Sequence, residues 1–164
     1  MENNKLSKEG KTTQKIVIEM EESVHKQNQE NKIKLKTQVD AVLFFIQKLD
    51  SSMLQLVLDK NFTYQDYDLK TFIKKISHVF DVFLERENTF LNIYEGSCTS
   101  NVCCKSNCKG FSFIGNKTND YMDLIIQIEN EKVLDIYECY KFLNQKSMIL
   151  KREKITIDSI EEPF

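Results

Sequence analysis

The sequence predicts an α+β domain in which N-terminal helices pack on a curved, cone-like antiparallel sheet that carries a cysteine-rich loop. Three observations predict it. Apolar residues recur at helical spacing between Leu35 and Leu84. After Arg86 the period falls to two, and short β-prone runs follow one another across brief turns. All five cysteines fall within Gly96 to Phe142, among those strands. Helices first and strands second, with neighbouring strands joined by short connections, give an antiparallel sheet with its helices gathered on one face.

Length and composition set the frame. A chain of 164 residues with 41% hydrophobic residues, eleven Phe and six Tyr has material for one sizeable core. Residues 1–34 are rich in Lys, Glu, Asn and Gln, with one apolar island at Ile16-Val17-Ile18. They read as a flexible polar arm ahead of a single domain over 35–160, because so little apolar surface does not offset the entropy of ordering. A net charge of -2 gives no broad attraction to nucleic acid or anionic lipid. Arg86 and Arg152 are the only arginines among 23 basic residues, and Lys lacks the planar fork that phosphate and base recognition favour. No apolar run has the length of a signal peptide or a membrane span. The expected location is the cytoplasm, or outside the cell only if a leader has been removed.

The helices come first. Leu35, Val39, Val42, Leu43, Ile46 and Leu49 form one stripe, widened by Phe44 and Phe45, and predict a helix over Leu35–Leu49. Asp50-Ser51-Ser52 supplies capping oxygens for a second, shorter helix over Met53–Leu58. The third runs over Asp68–Glu85, with Asp68 as its cap and Leu69, Phe72, Ile73, Ile76, Val79, Phe80, Phe83 and Leu84 on its apolar side. Strands are expected at Phe90–Glu95, Phe111–Ile114, Tyr121–Ile128 and Val133–Cys139, with another near Lys154–Ile157. Gly96 and Gly115 read as strand ends. Along the fourth strand, Val133, Asp135, Tyr137 and Cys139 are expected on one face.

The cysteines carry the strongest chemical signal. Cys98, Cys103, Cys104 and Cys108 are spaced C-x4-C-C-x3-C, and Cys139 follows at the end of a strand. Zinc takes four soft or nitrogen ligands in a tetrahedron, with thiolates at about 2.3 Å. Four of these five residues suit a structural zinc ion, only one of the vicinal pair Cys103 and Cys104 being needed. In an oxidising compartment the same residues would form two disulfides and leave one thiol over. A third reading leaves them reduced, with Cys139 as a small core residue. The closing hairpin is expected to bring Cys139 back to the Cys98–Cys108 loop.

Other residues point less far. Tyr64, Tyr67, Phe111, Phe113 and Tyr137 are candidates to line a pocket, against the competing reading that aromatic residues in strands are core. His78 sits beside the helical stripe as a surface or core residue, and His25 lies in the polar arm. No P-loop, G-x-G-x-x-G, G-x-S-x-G or H-E-x-x-H occurs, so no catalytic residue is assigned.

The segments MLQLVLDKNFTYQDYDLKTFIKKISHVF and YMDLIIQIENEKVLDIYEC resemble the nuclear transport factor 2-like superfamily, which includes polyketide-cyclase-like and ketosteroid-isomerase-like proteins. GFSFIGN and DLIIQIENEKVLDIYEC are similar to small uncharacterised proteins of AT-rich bacteria. The resemblance spans roughly Lys36 to Phe142 and implies a curved sheet wrapped round helices, forming a cone whose mouth holds a small molecule. Isomerase-like members place a carboxylic base there; Asp66, Asp68, Asp123 and Asp135 are residues of the right type. Two functions are therefore expected: a non-enzymatic binding or accessory domain with a cysteine-pinned loop, or a cone-type isomerase or cyclase acting on a small apolar substrate. The expected partner is a small molecule or a protein, a second copy of the chain included. Structural Zn2+ is the one cofactor expected.

Overall fold

Residues 35–98, 107–140, 142–143 and 150–158 are described by the computed structural model. Three helices lead: α1 (Gln38–Gln47), α2 (Ser51–Val57) and α3 (Leu69–Glu85). The strands follow as β1 (Leu91–Cys98), β2 (Cys108–Gly115), β3 (Tyr121–Glu129), β4 (Lys132–Glu138) and a two-residue β5 (Phe142–Leu143). They form one sheet in the order β4-β3-β2-β1-β5, with every pair antiparallel. The class is α+β. The arm at 1–34 lies outside the described residues.

Each helix starts where a side-chain oxygen takes up an otherwise unpaired amide. Thr37 accepts from Asp40 N, and Asp40 accepts in return from Thr37 N, closing a capping box. Asp50 accepts from Met53 N at the start of α2, and Asp68 accepts from Thr71 N at the start of α3. The bonds from Thr71 hold the Asp68 carboxyl below its ordinary value. α3 presents Phe72, Ile73, Ile76, Val79, Phe80 and Phe83 as one buried stripe.

Register divides the sheet into two faces, because partners across a ladder point the same way. The helix-facing side carries Phe111, Phe113, Met122, Leu124, Ile126 and Ile136, packed with the helical stripe, Tyr64 and Leu91 into the main core. The outer side carries a smaller cluster of Ile125, Cys139 and Phe142, against which Cys98, Cys108 and Tyr137 pack. The segment 150–158 takes the lane beside β3 that β4 leaves. Tyr121 N donates to Glu153 O and Ile155 N to Tyr121 O, both at 2.8 Å, in a parallel bridge. Ile155 and Ile157 then enter the main core.

Four expectations change. β1 does not stop at Gly96: it runs to Cys98, because Gly96 pairs with Gly110 and Ser97 and Cys98 go on to pair with β5. β2 begins at Cys108 rather than Phe111, so Cys98 and Cys108 are strand residues. A bulge at Gln127/Ile128 pairs Ile128 with Val133 and leaves Leu134 over, which turns Val133 into the helix-side core. The chain near Lys154–Ile157 makes one bridge to β3 rather than a full strand.

Candidate functional site

The cysteine cluster on the outer face is built by sheet register. β1 and β2 pair from Leu91↔Gly115 to Gly96↔Gly110, and Cys98 and Cys108 each lie two residues beyond that last pair. These two cysteines frame the connection 99–107. Both are half-buried and both pack against the cluster of Ile125, Cys139 and Phe142. Phe142 pairs with Cys98 through the backbone and lays its ring on Gly110, where a Cβ would collide with the ring edge and lie 2.9 Å from Gly96 O. Tyr137 brings its hydroxyl to 3.5 Å from the Cys108 sulfur.

Cys139 reaches this cluster by another route. β4 starts at the Cys108 end of the sheet and carries Cys139 away from it, to a place beside Asp123 (Cys139 N to Asp123 O, 3.2 Å). The hairpin was expected to do the opposite. Strand β3 leaves from the Gly115 end of β2, so the return strand ends there too. Fully buried, Cys139 shares with Cys98 and Cys108 the cluster built on Ile125 and Phe142. Cys103 and Cys104 lie outside the described residues. Among the described residues, no three His, Cys, Asp or Glu side chains gather closely enough to hold a metal ion.

Beside the cysteines lies a buried polar group that the sequence reading did not assemble. Asp123 accepts from Ser112 Oγ at 2.6 Å and pairs with Lys151 Nζ at 2.9 Å, the side chains of Lys151 and Asp123 being 10% and 5% exposed. The Lys151 ammonium also sits 4.7 Å from the Tyr121 ring centre and 5.1 Å from that of Phe142. One signal was available: Asp123 interrupts an apolar strand, and a carboxylate buried there needs a partner. Which lysine supplies it is a long-range matter. Lys154 makes the neighbouring tie, from Nζ to Cys139 O at 2.7 Å.

A third polar group closes the edge of β4. The turn at Tyr64–Tyr67, with Gln65 and Asp66 both at positive φ, inserts Gln65 between strand and C-terminal segment. Gln65 N donates to Asp135, Gln65 Nε2 to Glu138 and Asp158, and Glu138 N to Gln65 Oε1. Ile157 N donates to Glu138 at 2.5 Å. Burial pushes both the Asp135 and the Glu138 carboxyls above their ordinary values. Gln38 caps the same edge further along, accepting from Val133 N and donating to Val57 O, each at 2.7 Å.

The aromatic pocket candidates do not converge. Tyr64 is buried in the main core against Phe72, its hydroxyl donates to Asp59 O, and burial drives its pKa upward. Tyr67 borders that core and donates to Asp158, which raises its pKa. Phe111 and Phe113 are helix-side core, whereas Tyr137 faces the cysteines. Of the carboxylates considered for cone chemistry, Asp66 is in the turn, Asp68 caps α3, Asp123 is on the outer face and Asp135 is held by the turn. A groove of about 430 Å³ opens beside Cys108, between the start of α1 and the ends of β2 and β3; Thr37, Val39, Asp40, Asn107, Lys109, Ile128 and Glu131 line the rest. Among the described residues no helix is long and apolar enough to cross a membrane.

No protein-family model matches the chain, and no curated protein or solved structure is significantly similar to it.

Proposed function

We propose that this chain is a small binding or accessory domain whose β1–β2 connection is pinned by its cysteines, through disulfides or a structural zinc ion. The observation that carries the reading is the position of Cys98 and Cys108 at the two ends of that connection, on one face and against one apolar cluster. A pinned connection presents a fixed surface, and the groove beside Cys108 offers a place for a small molecule or a segment of a partner protein. The cone-like, nuclear transport factor 2-like architecture belongs to the same proposal, supported by three helices that precede an antiparallel sheet and cover one of its faces. A cone-type isomerase would need a carboxylate inside that covered face. The described carboxylate on that face is Glu138, opposite Leu124, and it is taken up by Gln65 and Ile157 N beside an apolar core packed around Tyr64.

Thermal unfolding in the presence of a chelator and, separately, of a thiol reductant tests the reading. A midpoint lowered by one of the two supports a pin and names its kind. A midpoint moved by neither removes the pin.

A further inference from the structure

Resting on the cysteine-pinned connection, we infer that the pin is a redox-closed disulfide between Cys98 and Cys108, formed by reaction of the Cys108 thiolate with a hydroperoxide. Carried two places past its last pair, Gly96↔Gly110, the register would set these two residues opposite one another. Directly opposed residues on antiparallel strands have Cα atoms about 4.5 or 5.5 Å apart, according to their place in the ladder, and disulfides span about 4.4–6.8 Å. Both side chains pack on the outer cluster, so both sulfurs are on the same side of the sheet. Cys108 is half-buried rather than enclosed, which leaves its sulfur open to a small oxidant, and the Tyr137 hydroxyl lies 3.5 Å from that sulfur.

Cys139 is not the partner. It lies beside Asp123 on β4, whereas Cys108 lies beside Gln127 on β2, with β3 between them. At ~3.3 Å per residue and ~4.8 Å per strand the two Cα atoms are displaced ~13 Å along the sheet and ~10 Å across it.

The chemistry balances in two steps. The Cys108 thiolate attacks one peroxide oxygen, the O–O bond breaks, and a proton makes the departing oxygen into an alcohol or water, leaving a sulfenic acid. The Cys98 sulfur then attacks the sulfenic sulfur, forming the S–S bond and releasing water. The two thiols are oxidised by two electrons and the peroxide is reduced by the same two.

The test treats the full chain with a small excess of hydrogen peroxide, then blocks remaining thiols, digests without reduction and maps the linked peptides. The expected product is lighter by two hydrogens and carries a Cys98–Cys108 link. Cys98→Ser and Cys108→Ser should each abolish that link, and Cys139→Ala should keep it. A link mapped to Cys103, Cys104 or Cys139 overturns the inference while leaving a cysteine pin in place. So does a bound zinc ion that protects the thiols from peroxide. A chain that shows no disulfide after peroxide and holds no metal overturns the inference and the pinned reading together.

Discussion

Removing the Asp123 carboxylate should be among the most damaging single changes in this chain. Asp123→Ala would leave the Lys151 ammonium, 10% exposed, without its ion partner and the Ser112 hydroxyl without its acceptor. Breaking a buried pair by deleting one partner costs about 3–5 kcal/mol, because the other charge stays desolvated. Lys151 has two aromatic rings within reach and stands on a segment near the C-terminal end of the described chain, so it can partly re-solvate. The lower end, about 3 kcal/mol, is therefore expected, which for a domain of this size is a fall of about 6–12 °C in Tm. Lys151→Met should also destabilise, since it strands the carboxylate with only the Ser112 bond. The double variant Asp123→Leu with Lys151→Met should recover most of the loss, as apolar replacements of buried ion pairs commonly do. Urea unfolding of the wild type, Asp123→Leu, Lys151→Met and the double variant closes the cycle, with Asp123→Ala measured beside it. Single variants within about 0.5 kcal/mol of wild type would refute the reasoning, because a pair that weak is behaving as a solvent-screened surface pair.

Two further outcomes follow from the same geometry. Asp135 and Glu138 have folded pKa values raised by burial, so the folded chain holds more protons than the unfolded chain between their ordinary and raised values. Stability should fall as pH rises through that window and level off above it. Unfolding measured across pH with Asp135→Asn and Glu138→Gln together should show a flatter profile; an unchanged slope would remove these two groups as its source. Gly110→Ala would push a methyl into the Phe142 ring and to 2.9 Å from Gly96 O. The expected cost is about 1–3 kcal/mol in chemical unfolding, as for other overpacked sites, and a neutral result would mean that Phe142 moves aside freely.

What could be read in the sequence was whatever local periodicity encodes. α3 was legible from the Asp68 cap to the stripe ending at Phe83, except that Leu84, expected on that stripe, is exposed. β3 was legible because a β-prone run of that length, apolar but for Asp123 and Gln127 before its last residue, fits a strand buried on both faces. Gly96 misled, because a glycine paired with another glycine across a ladder looks in sequence like a stop. The bulge at Gln127/Ile128 shifts every later side chain of β4 by one place relative to β3, and nothing in the order of residues marks it. The direction in which β4 carries Cys139 depends on the whole path of the sheet. The partners of Asp123 and Glu138 are long-range for the same reason: Lys151 and Ile157 reach them only after the C-terminal segment takes the lane beside β3.

The central claim is that the cysteines pin the β1–β2 connection. Metal analysis with thiol counting, on native full-length protein isolated without added reductant, tests it most directly. A pinned connection gives fewer than five titrating thiols, together with either an intact mass short of hydrogens in pairs or zinc at one per chain. Five titrating thiols and no bound metal would contradict it.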